Sequence, residues 1–175
     1  MKRQSDEQAS GESANQMTLN RFLPSQPRYL LVAWILLLLL GAVFLFGPLS
    51  NLLADGRSGL PFDHLDAFSA ISGMDWSSAK LSSSGITHFI TSLEIAYSVH
   101  ELVFGLLFLI IVVIPFRRRA RWAWWACWVP MLANLTFTFT LGHYSTTTLV
   151  YSLIIDVALP ILLLLHIPAF FSKSR

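Results

Sequence analysis

The chain has 175 residues, of which 54% are hydrophobic and 13% charged, and its net charge is +2. Apolar runs longer than a soluble core helix needs identify an integral membrane protein, exclude a water-soluble globular domain, and leave room for one membrane domain. The single cysteine, Cys127, excludes an intramolecular disulfide and a cysteine-rich metal site, and its setting among tryptophans reads as packing.

Residues 1–28 are rich in Ser, Gln, Glu and Asn and lack apolar periodicity, so they predict a disordered cytoplasmic tail that Pro24 and Pro27 end. A first span over about 29–46 is nearly all Leu, Val, Phe and Trp, as in an uncleaved signal anchor. Gly47, Pro48, Gly56, Gly59 and Pro61 are then expected to break the helix and open a loop of about forty residues. Within that loop Phe62, Leu65, Phe68 and Ile71 recur at steps of three, which predicts a short amphipathic helix at the membrane interface. The acids and histidine among them, Asp63, His64 and Asp66, suit a helix cap or dipole better than a metal site.

Three further spans follow, over about 86–114, 122–141 and 147–170. Between the second and third lie Arg117, Arg118, Arg119 and Arg121, then Trp122, Trp124, Trp125 and Trp128. These read as a cytoplasmic turn and an interfacial belt, with a dedicated anionic-lipid site as the alternative; nucleic-acid binding is not indicated. Lys2, Arg3, Arg21, Arg28, Lys173 and Arg175 put both termini on the same side as that turn. The expected fold is therefore all-α: a four-helix transmembrane bundle over 29–171 with a short amphipathic interfacial helix in the first outer loop, both termini being cytoplasmic.

The second span carries Glu94, His100 and Glu101 in a membrane-length apolar run. Thr87, Thr91, Glu94, Ser98, Glu101 and Gly105 alternate at steps of four and three, the seam of a left-handed helical pair. A carboxylate facing lipid costs several kcal/mol, so this seam should look into the protein. His100 points about 100° away from Glu101 and belongs to another face. With a rise of 1.5 Å per residue, Glu101, Asn134 and Asp156 each lie roughly 18–21 Å above the inner boundary. Asn134 with Thr138, and Thr148 with Ser152 and Asp156, form one polar stripe on each of the last two spans. Two carboxylates near one another in low dielectric without a cation cannot both ionise cheaply, and Glu101 with Asp156 is the pair that depth allows. His88 and His143, near the outer helix ends, read as interfacial, since no ligand motif such as H-E-x-x-H is present.

The run Pro115-Phe116-Arg117-Arg118-Arg119-Ala120-Arg121-Trp122-Ala123-Trp124-Trp125-Ala126 resembles the arginine-rich turn and W-A-W of small bacterial four-span membrane proteins grouped with the DoxX-like families. The layout is similar too, with a short outer helix before a G-M-x-W-like element at Gly73, Met74, Asp75 and Trp76. Some DoxX-like proteins are associated with quinone-linked sulfur oxidation; the resemblance points toward that chemistry without assigning a residue, and the sequence holds no redox cysteine pair or haem motif.

The residues themselves predict an outward-facing polar pocket of Glu94, Ser98, Glu101, Asn134, Thr138, Ser152 and Asp156 that binds a small amphipathic ligand such as a lipid or quinone head group. The alternatives are a proton- or cation-coupled transporter and a non-catalytic accessory subunit. Membrane lipid is the expected partner, with a homo-oligomer or a larger membrane protein beside it.

Overall fold

The computed structural model describes residues 27–172, so the expected tail and the final Lys173 and Arg175 lie outside the described residues. The chain divides into two compact units, 1–32 and 33–175; of the first, only the opening turns of one helix are described, and the helices that pack together belong to the second. Every regular element among the described residues is helical. They are α1 (Arg28–Ser58), α2 (Phe62–Ser72), α3 (Trp76–Ser82), α4 (Ser84–Ile111), α5 (Arg121–Ala126), α6 (Val129–Thr140), α7 (Thr146–Leu165) and α8 (Ile167–Phe171). A π-helical turn, Val112–Phe116, extends α4, and a 3₁₀ turn, Gly142–Tyr144, joins α6 to α7.

Three helices are long and apolar enough to cross a membrane: Arg28–Ser58, Ser84–Phe116 and Thr146–Leu165. The shortest has 20 residues and reaches about 30 Å, the hydrocarbon thickness. The stretch expected as one third span is two helices of 6 and 12 residues, neither of which reaches that length alone. Pro130 near the start of α6 accounts for the break, because it has no N–H to offer Ala126 and its ring crowds that carbonyl. Pro168 ends the expected fourth span in the same way, and α7 stops at Leu165.

Pro48, by contrast, does not stop α1, and the expected break after residue 46 is absent. Its missing N–H leaves the Phe44 carbonyl without its helical donor. A Cβ placed on Gly105 would run into that same carbonyl. Backbone of α4 thus lies directly against the group that proline frees, which is a contact only glycine permits, and the helix continues twelve residues further than composition suggests.

A second backbone departure has a partner as well. The π-helical turn at Pro115 releases carbonyls from the α-helical ladder, and Trp34 Nε1 of α1 donates to Val112 O at 3.0 Å. Around it Leu37, Phe108, Val112, Phe116, Trp124, Cys127, Leu159 and Leu163 form the main apolar core. Cys127 is fully buried there, as packing predicts.

The expected forty-residue loop is largely helical. Gly59 turns the chain with φ 83°, and the turn is pinned because Thr91 Oγ1 donates to Gly59 O at 2.6 Å and Trp76 Nε1 to Ser58 O at 2.9 Å. Asp75 caps α3 by accepting from Ser78 N at 2.6 Å, and this bond together with that from Ser77 holds its carboxyl below the usual range. The apolar stripe of α2 is shared out: Leu65 and Phe68 pack on a small core of Leu60, Trp76 and Ala79, while Phe62 and Ile71 stay exposed. The buried edge of α2 is instead His64 with Ala67.

Candidate functional site

The seam of α4 faces inward as its spacing requires. Thr87, Ser98 and Gly105 are buried, Glu94 and Glu101 half-buried, and His100 is exposed, bonded back to Ala96 O within its own helix. The partners of that seam differ from those expected from depth.

Asp156 turns sideways within α6 and α7. Its Oδ1 accepts from Asn134 Nδ2 at 2.7 Å and its Oδ2 from Thr138 Oγ1 at 2.8 Å. Asn134 Nδ2 donates also to Ser152 O at 3.0 Å, and the Ser152 hydroxyl turns back to Leu149 O. Every one of these side chains therefore has a bonded neighbour inside the α6–α7 pair. Among the described residues no hydrogen bond joins Asp156 to Glu101: Asp156 takes its donors from α6, and Glu101 has the Tyr97 hydroxyl beside it. Similar height on two helices does not fix the direction in which their side chains point.

The other polar group belongs to α1, α2 and α4. His64 Nδ1 donates to Glu94 Oε2 at 2.9 Å, which is the one ion pair among the described residues. Burial alone would lower the pKa of His64, but the Glu94 bond and charge, with those of Asp63 and Glu101, outweigh it and hold the ring above its ordinary value. The expectation that His64 serves a helix cap is thereby corrected: α2 has no side-chain cap, and the imidazole points into the protein. Asp63 contributes its backbone, whose carbonyl accepts from Thr148 Oγ1 of α7 at 3.0 Å.

Beside this pair lies Asp55, in the last turns of α1. It is 3% exposed, and neither of its carboxyl oxygens has a hydrogen-bond partner. Ser98, at 1% exposure, sets its hydroxyl beside the Asp55 carboxyl without closing a well-formed hydrogen bond. Asp63 Oδ1 is a third buried acceptor without a donor. Glu101 has the Tyr97 hydroxyl beside it. Tyr97 stacks on Phe137 of α6 with ring centres 6.3 Å apart, and His64 approaches the same ring at 5.7 Å.

The seven residues expected to form one pocket thus divide between two groups. Asn134, Thr138, Ser152 and Asp156 bond to one another or to nearby backbone, whereas Glu94, Ser98 and Glu101 join Asp55, Asp63, His64 and Tyr97. Asp55 escapes a reading of the sequence because it lies beyond Pro48, in what looks like loop. His64 is visible as a polar residue in an amphipathic helix, but its inward direction is not.

Two surface cavities lie elsewhere. A groove of about 330 Å³ between α1 and α7 is lined by apolar residues including Leu39, Val43, Ala158 and Ile161. A second, of about 290 Å³, is lined by Phe68, Met74, Ile86 and Ile90 with Ser82, Ser83 and others. Neither is lined by any of the seven residues. Compared with known proteins, the chain matches no family model, no curated protein and no solved structure.

Proposed function

We propose that the chain is a four-span protein of a bacterial inner membrane, with α5 and α6 together making the third crossing and α2 lying at the outer interface. Both termini are then cytoplasmic, with the arginine turn beside them. In this reading the group around Asp55 holds the head of a small amphipathic ligand whose tail lies in the bilayer.

The observation that carries the reading is the pair of unpartnered buried groups, Asp55 and Ser98. An unsatisfied buried polar group costs about 1–3 kcal/mol, more when charged, and such groups are rare enough to call for a reason. A head group that donates hydrogen bonds supplies one. The three helices that can cross a membrane support the setting.

The test is native mass spectrometry of the full-length protein released from detergent. Wild type is expected to retain a bound amphipath that Asp55→Asn and Glu101→Gln lose, with Asp156→Asn retaining it wherever that variant folds. Ligand-free spectra from an intact wild-type preparation would overturn the reading. Proton- or cation-coupled transport is the second reading, favoured by the His64–Glu94 pair standing next to a carboxyl without a partner. It predicts pH-dependent uptake into proteoliposomes that Asp55→Asn removes.

A further inference from the structure

We propose that the head group held at Asp55 is cationic, a primary ammonium on an apolar chain; this rests on the ligand-binding reading above and names its chemistry. Four carboxyl groups, those of Asp55, Asp63, Glu94 and Glu101, lie within electrostatic reach of His64, and that histidine is bonded to Glu94 alone. No Lys or Arg forms an ion pair with any of them among the described residues. The group is therefore short of positive charge by more than one unit whenever the carboxyls ionise.

Hydrogen-bond chemistry points the same way. What lacks partners is mostly acceptors: both oxygens of Asp55, Oδ1 of Asp63, and the Ser98 hydroxyl, which can accept as well as donate. An ammonium carries three donors and no acceptor, as a lysine head does. A quinone or phosphate head brings acceptors and, for phosphate, a like charge, so either would leave these oxygens unsatisfied. Bonds between an ionised carboxylate and an ammonium are roughly twice as strong as neutral ones.

Tyr97 and Phe137, stacked and inclined 13° to each other, stand beside Glu101 and His64. Among the described residues no three His, Cys, Asp or Glu side chains are gathered so as to hold a metal ion.

The test uses the full-length protein in dodecyl maltoside and four probes of equal chain length: decylamine, decyltrimethylammonium, decanol and decanoate, with binding followed by titration calorimetry. Decylamine is expected to bind about tenfold or more tighter than decanol, by the difference between charged and neutral bonds. Decyltrimethylammonium, which has charge but no N–H, is expected between them, and decanoate is expected not to bind. Asp55→Asn should remove the preference for decylamine over decanol. Ser98→Ala, which leaves the charge in place, should weaken both probes while keeping the preference, and it serves as the informative variant if Asp55→Asn does not fold. Equal affinity of decylamine and decanol, with both lost in Asp55→Asn, would overturn the cationic assignment and leave the head-group site standing. Failure of every probe to bind wild type, or binding unchanged in both variants, would overturn the site as well.

Discussion

Asp156 and Asp55 are both carboxylates on long, almost wholly apolar helices, and the protein treats them in opposite ways. Asp156 has a donor on each oxygen, both from α6, and one of them, Asn134 Nδ2, also donates to the Ser152 carbonyl. Asp55 is more deeply buried, and neither of its oxygens has a donor. Polar bonds between helices in a membrane contribute only about 0.6–2 kcal/mol each, and a helix pair such as α6–α7 can use them as attachment. A carboxyl enclosed without such bonds costs stability in the protein alone. The difference separates a carboxylate whose bonds serve the fold from one whose burial the fold itself does not compensate.

The largest expected effect is on the bonded side of that comparison. Asp156→Leu strands Asn134 Nδ2 and removes an acceptor from Thr138, and should destabilise the protein by roughly 1–3 kcal/mol, read from the midpoint of denaturant or thermal unfolding in detergent. Asp55→Leu should do the reverse. With no bond to lose and an uncompensated polar group removed, it is expected to leave stability unchanged or raise it by about 1 kcal/mol, while abolishing ligand retention. If the two variants cost the same, the contrast between the groups is wrong.

The smallest effect concerns pH. The folded protein holds His64 above its ordinary pKa of 6.5, so its pairing with Glu94 stabilises fully below that value and is lost as pH rises through the raised one. Thermal midpoints measured from about pH 5 to 9 should fall across that window in wild type. His64→Phe should flatten the decline without altering the response of Asp156→Leu. A slope unchanged by His64→Phe would mean that the pair has no stabilising part.

Much of this was visible in residue spacing. The seam from Thr87 to Gly105 faces inward because steps of four and three keep one face of a helix together whatever packs against it. Asn134, Thr138 and Asp156 were recognisable as polar stripes for the same reason, and their mutual bonding follows from two consecutive helices joined by a short turn. No hydrogen bond joins Glu101 to Asp156 among the described residues, because a rise per residue measures height and says nothing about azimuth. Asp55 was hidden by Pro48, whose effect depends on whether another helix covers the carbonyl it frees; Gly105 lies against that carbonyl, sixty residues away in the chain. His64 was hidden by the turn at Gly59, pinned by Thr91 and Trp76, which helps set the face that α2 presents to the protein.

The sequence by itself determined the helical class, the apolar stretches and the polar face of each helix, since hydropathy and a period of 3.6 residues are local properties. It also marked Pro48 as an interruption of the backbone ladder, whereas Pro130, Pro160 and Pro168 fall inside spans read as continuous. Only the tertiary structure decided which interruptions end a helix and which are covered, and which acids find donors. Those outcomes depend on the lateral arrangement of helices, where a rotation of one residue's worth, about 100°, exchanges a saturated carboxylate for an unpartnered one.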